Sequence, residues 1–173
     1  DLQAVCSGFV YALSVADQFV KTGMSKRALV VGAETLSRIT DWSDRNTCVL
    51  FGDGAGAVLL EASEEPGILS THIHADGQYE ELLHVPSGIS KLPSTDTVAE
   101  RSMQMKGNEV FKMAVNTLSR IAKETLEANG MQKEDIDWLV PHQANLRIID
   151  AAVKRLGIDY DKVMINIERY GNT

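Results

Sequence analysis

The sequence has 173 residues, 44% hydrophobic and 24% charged, a balance that excludes a disordered or fibrous chain. Its 17 Lys and Arg against 24 Asp and Glu leave a net charge of −7, which lacks the basic stripe of a general nucleic-acid binder. No apolar run reaches the roughly 18 residues of a membrane span. Two cysteines, Cys6 and Cys48, fall short of a disulfide framework, so a reducing cytoplasm is the simplest compartment. A chain of this length is expected to bury roughly 68–70% of its unfolded surface, as one domain or two small ones sharing a core.

In chain order, Phe9, Val10, Leu13, Ala16, Phe19 and Val20 recur at three- and four-residue spacing. That pattern predicts a helix over Ser7–Lys21, ended by Gly23. Arg27–Gly32 reads as a strand buried on both faces. Thr47–Phe51 and Ala57–Glu61 read as two more strands, joined through a tight turn at Gly52-Asp53-Gly54-Ala55-Gly56. Ile68–Ala75 follows as another strand. Residues 84–102, with Pro86, Pro93 and several Ser and Thr, read as a long loop, and such loops are often functional. Asn108–Asn129 is a strongly amphipathic helix. Trp138-Leu139-Val140 reads as a strand, Asn145–Leu156 as a helix closed by Gly157, and Val163–Ile167 as a last strand. Helices alternate with buried strands, so the class is α/β.

Three polar residues stand at the ends of these elements. Cys6 begins the first helix, where exposed N–H groups and the helix dipole favour the thiolate. The bland alternative is a packed core thiol, the reading given to Cys48. His142 follows a strand and precedes a helix, the end of a sheet where catalytic side chains collect. Asn172, beside Gly171, is either a turn residue or a fixed amide donor, and Cys-His-Asn is a recurring set for thiol catalysis. His72 and His74 alternate on one face, yet no third ligand is spaced for a metal, so they read as surface histidines; His84 carries no signal. The glycine motif at 52–57 is not a nucleotide loop, because strand and not helix follows it.

Ala4-Val5-Cys6-Ser7-Gly8-Phe9, Phe51-Gly52-Asp53-Gly54-Ala55-Gly56-Ala57, Pro141-His142-Gln143-Ala144-Asn145 and Tyr170-Gly171-Asn172-Thr173 occur in that order. Together they resemble the β-ketoacyl-acyl-carrier-protein synthase III family, the initiating condensing enzymes of dissociated fatty acid synthesis. The resemblance runs over essentially the whole chain. It implies a thiolase-like α/β fold, two similar halves in an αβαβα layered arrangement. Residues 1–62 would end the first half and carry the nucleophile; residues 63–173 would form most of the second and carry His and Asn.

By this resemblance Cys6 accepts an acyl group from acyl-CoA, and His142 and Asn172 hold malonyl-ACP as it decarboxylates. No permanently bound cofactor is implied; acyl-CoA and malonyl-ACP are substrates. Related hydroxymethylglutaryl-CoA synthases pair Cys and His with an acid, and elongating condensing enzymes typically carry two histidines. Chalcone synthases share Cys, His and Asn but differ at the glycine motif. Arg45 matches a position that stacks on the CoA adenine, and Asn145 one that faces the pantetheine arm. Arg147, with Lys154 on the same face, matches a carrier-protein docking position. Gln143 is placed with Arg147, its bland alternative being to shape the turn with Ala144. Leu36, Phe51, Leu83 and Phe111 match acyl-pocket walls, although each could be ordinary core. The implied partners are acyl carrier protein, coenzyme A thioesters and a second subunit, with no nucleic acid or membrane.

Rival readings are a cysteine thioesterase with water as acceptor, and an inactive fragment that only binds carrier protein. The chain opens on Asp1-Leu2-Gln3 and stops at Asn172-Thr173, so both ends read as cut; the resemblance implies the middle of a protein about twice as long, inactive and poorly stable if isolated.

Overall fold

The computed structural model describes residues 1–87 and 97–173. A single 3-10 turn, Val5–Ser7, leads into α1 (Gly8–Lys21). Helix α1 ends at Thr22, whose N–H bonds to Gln18 O, and Gly23 takes φ +75° to turn the chain back. Strand β1 (Arg27–Thr35) then pairs antiparallel with β2 (Asp53–Glu61), in register from Arg27 opposite Glu61 to Thr35 opposite Asp53. Phe9 of α1 packs on Gly32 of β1 at 3.6 Å from where a Cβ would stand, so α1 lies across this two-stranded sheet.

The glycine motif departs from the expected hairpin. Residues 47–50 are turns and Phe51 is a lone bridge residue, while Gly54 and Gly56 lie inside β2. Asp44 is the cause. Its carboxylate accepts from Asn46 N and Thr47 Oγ1, and its carbonyl accepts from Thr47 N and Cys48 N. Side-chain competition of this kind coils the backbone locally and withdraws it from a ladder.

Other expected strands also shrink. Ile68–Ala75 makes no ladder pair among the described residues. Trp138–Val140 and Val163–Ile167 reduce to one parallel bridge, Leu139 to Val163, after which α5 (Ile167–Tyr170) begins. The loop expected over 84–102 is partly ordered. β3 (Leu83–His84) pairs with β4 (Gln104–Met105), and α2 (Val98–Arg101) starts on a capping box of Thr97 and Glu100. Its central part, 88–96, lies outside the described residues.

The two long C-terminal helices match the periodicity closely: α3 is Gly107–Ala128 and α4 is Leu146–Leu156. Asn145 Oδ1 caps α4 by accepting from Arg147 N at 2.9 Å, and Gly157 closes it in the left-handed region. Arg147 lies over the Phe111 ring, and Arg155 donates to Asn116, so α3 and α4 run side by side. Ile149, Val153, Ile158 and Val163 form the buried cluster beneath α4.

The accessible surface is 12054 Å², against ~8,300 Å² from the scaling for folded monomers of this mass. The expectation of a self-sufficient core therefore fails. Apolar side chains stand open on the sheet, Leu29 at 67% and its partner Leu59 at 62% exposure, where a closed domain would cover them. Among the described residues, no helix is long and apolar enough to cross a membrane.

Ile149, 1% exposed, sits at the centre of the α4 cluster. In the full-length protein Ile149→Ala should lower unfolding free energy by about 2–5 kcal/mol, by the transfer and cavity terms. Urea titration should show this as a lower midpoint at unchanged slope.

Candidate active site

Cys6 is presented by a strained backbone. Val5 has φ +48°, a region that β-branched residues avoid and that recurs at functional sites. The residue is solvent-exposed, so the thiol can be approached. The expected lowering of its pKa is not found. Desolvation by the surrounding protein raises it, a backbone hydrogen bond opposes the rise, and the Glu34 carboxylate adds to it. Glu34 is itself pushed up, by burial and then by Asp53. Burial, helped by a carboxylate that β1 brings near, outweighs the helix-start effect.

His142 sits between the Leu139–Val163 bridge and α4. Its Nε2 is buried with no hydrogen-bond partner in the protein, and desolvation holds the imidazole below its usual pKa. The ring is neutral at physiological pH. Asn172 is 6% exposed. Its N–H donates to Leu50 O at 2.9 Å, and its carbonyl accepts from Gly52 N at 2.8 Å. It follows α5 rather than a strand, and Gly171 at φ +69° turns it onto Phe51 in a parallel bridge. Its Nδ2 reaches Ala144 O at only 3.4 Å, which ties it to the loop two residues beyond His142.

The glycines explain how these parts approach. A Cβ on Gly52 would stand 2.8 Å from Tyr170 O, and one on Gly54 would stand 2.9 Å from Thr173 Cβ. Gly54 is also the ladder partner of Glu34, whose charge reaches Cys6. The edge of the β1–β2 sheet thus joins the nucleophile's surroundings to Asn172 and, through Ala144, to the His142 loop.

The remaining expected residues scatter more widely. Arg45 is exposed in a loop of two Asx turns, where Asp41 accepts from Ser43 and Asp44 from Asn46; Trp42 beside it is 67% exposed. These hydrogen bonds hold both carboxyls below the ordinary range. Asn145 spends its oxygen on the α4 cap. Gln143 donates to Pro141 O and Met164 O and accepts from Asn166 N. Leu36, Phe51 and Leu83 are half-buried; Phe111 lies beneath Arg147, with the guanidinium 5.8 Å from its ring centre. Among the described residues, no group of His, Cys, Asp and Glu could hold a metal ion.

The model of 3-oxoacyl-[acyl-carrier-protein] synthase III matches residues 1–77, and that of the same enzyme's C-terminal part matches residues 126–173. The chain belongs to the β-ketoacyl-acyl-carrier-protein synthase III family. It is 64% identical to the synthase III of Thioalkalivibrio sulfidiphilus and 65% to that of Thiobacillus denitrificans, over all 173 residues. It spans about half of each, 54% and 53%. Among solved structures, the synthase III of Aquifex aeolicus superposes with TM-score 0.89 at 48% identity, covering 100% of this chain and 53% of that one. The priming β-ketosynthase of the R1128 polyketide pathway superposes at 0.92 with 40% identity, over 100% and 52%. The fold is therefore thiolase-like α/β.

Two features escaped the sequence reading. Val5's backbone carries no compositional signal, since valine is the residue least expected there. His72 and His74, read as surface histidines, both bond Glu124 Oε1, at 3.1 and 2.9 Å. Only their alternation hinted at a shared partner.

His142 gives a signed pH expectation. Above its usual value of 6.5 the ring is neutral both folded and unfolded. As pH falls below 6.5 the unfolded chain takes up a proton that the buried ring refuses, so stability drops. Urea unfolding of the full-length protein should show a shallower loss in His142→Gln than in wild type between about pH 7.5 and about pH 5. Parallel losses would mean the ring is solvated.

Proposed function

We propose that the full-length protein is the initiating condensing enzyme of fatty acid synthesis, a transferase that primes the pathway from acyl-CoA. The buried, unpartnered His142 Nε2, tied through Ala144 to the Asn172 amide, supports the reading most directly.

In the first step the Cys6 sulfur attacks the acyl-CoA thioester carbonyl. A new C–S bond forms to Cys6, the bond to CoA breaks, and CoA leaves as its thiol with the proton from Cys6. Strain at Val5 holds the sulfur forward for this attack. In the second step malonyl-ACP loses carbon dioxide, and negative charge gathers on its thioester oxygen. Two neutral donors, His142 Nε2–H and Asn172 Nδ2–H, would hold that enolate in a dry site. Its carbon then attacks the acyl-Cys6 carbonyl and expels the Cys6 thiolate, giving β-ketoacyl-ACP. An ionised side chain at either donor position would oppose the enolate or protonate it.

The supporting roles follow the same reading. Exposed Arg45 and Trp42 present a cation and an aromatic face suited to a nucleotide. Arg147 offers a surface cation, braced on Phe111, to an acidic carrier protein. The second subunit, the cytoplasmic location and the division of halves at residue 62 belong to this proposal.

Mass spectrometry and a decarboxylation assay test it. Cys6→Ala should abolish acylation by acetyl-CoA. His142→Ala and Asn172→Ala should still acylate yet lose decarboxylation by ~10²–10³-fold, the usual cost of removing one oxyanion donor. Free acid released without malonyl-ACP would favour a thioesterase instead. Arg147→Glu should raise KM for malonyl-ACP and leave acyl-CoA transfer nearly intact; equal losses in both would reduce Arg147 to its packing on Phe111.

A further inference from the structure

The segment 68–75 lies between α1 and α3 with no ladder hydrogen bond among the described residues. Side chains hold it instead. On one side Asn129 Nδ2 donates to Ser70 Oγ at 2.7 Å, and Ser70 Oγ lies 3.0 Å from His72 Nε2. His72 Nδ1 and His74 Nε2 then meet Glu124 Oε1, while Arg120 approaches the other carboxylate oxygen at 3.6 Å. On the opposite side Tyr11 OH donates to His74 O at 2.9 Å, and Ser14 Oγ pairs with Thr71 Oγ1 at 3.0 Å.

A carboxylate only accepts, so both rings donate to Glu124. Ser70 accepts from Asn129 and shares a hydrogen bond with His72 Nε2. Arg120 adds a positive charge beside the other carboxylate oxygen. A connected polar network of this kind rigidifies the elements it joins.

Its ends matter most. Tyr11 and Ser14 lie one turn apart on the helix that begins beside Cys6, whereas Glu124 belongs to α3, which Asn129 caps and which packs along α4. Asn145, the cap of α4, is three residues from His142. We propose that Glu124 is a positioning residue: through His72 and His74 it fixes the Cys6 helix relative to the helices that carry the His142 loop. This rests on the proposed condensation, in which the enolate held by His142 and Asn172 must meet the acyl group on Cys6. Each half-reaction uses one side alone; only carbon–carbon bond formation needs both in register.

Full-length Glu124→Ala, Glu124→Gln and Tyr11→Phe test this by two independent routes. Hydrogen exchange of α1 amides, which Glu124 does not touch, should quicken about tenfold in Glu124→Ala as the helix loses its anchorage. Glu124→Gln keeps an acceptor oxygen for both rings and should restore most of the protection. Tyr11→Phe cuts the strap at α1 by one hydroxyl and should give a milder form of the same change, even if Glu124→Ala does not fold. In the kinetic arm, condensation should fall about tenfold in Glu124→Ala, as misplacement of reacting groups predicts. Cys6 acylation and malonyl decarboxylation, measured separately, should stay within about twofold. Unchanged α1 exchange in Glu124→Ala, or in Tyr11→Phe, would overturn the proposal. So would a uniform fall of all three rates in step with melting temperature. If wild type neither acylates nor condenses, the functional reading fails, and the exchange arm still decides whether the strap couples the helices.

Discussion

The backbone of Asn172 is hydrogen-bonded to Leu50 on one side and Gly52 on the other, and no side chain larger than hydrogen fits where this seam forms. Gly52 and Gly54 would each place a Cβ within 3 Å of the C-terminal segment. Substitution at either position would part the sheet edge from Asn172, and with it the amide from the loop behind His142. The edge of β2 and residues 170–173 meet here, so the placement of Asn172 depends on this contact.

From that seam the chemistry divides by environment. Around His142 burial excludes water and keeps the ring neutral, which suits a hydrogen-bond donor to a developing oxyanion. Around Cys6 the same desolvation works against ionisation, and Glu34 reinforces it. The thiol form is thereby favoured at Cys6. Desolvation thus favours the uncharged form of both groups.

The large open surface fits the coverage of the relatives. Leu29 and Leu59 face each other across the ladder and both look outward, which would be costly in a finished domain. The chain spans about half of the synthases it resembles. Its own buried cluster lies under α4.

Much was legible in the sequence because it is set by near neighbours. The 3.6-residue stripes of α1, α3 and α4, the Asn145 cap and the Gly157 stop all follow from local sterics and hydrogen bonding. The order of Cys6, the glycine motif, His142 and Asn172 identified the family for the same reason: motif residues are chosen by chemistry that spacing preserves. Long-range contact decided what remained. Apolar runs at 47–51, 68–75 and 163–167 suggest strands, but a strand exists only where a partner supplies its ladder. The glycine motif suggests a turn, yet Gly54 lies in β2, where Thr173 packs against it. The thiol's pKa depends on burial by the folded chain and then on Glu34, 28 residues away, and the use of His72 and His74 on Glu124, 50 or more residues away. The sequence by itself determined the helices and the chemical identity of the site residues. Only the tertiary structure decided their protonation and their strain, and which of them meet, since those depend on the groups that folding brings into contact.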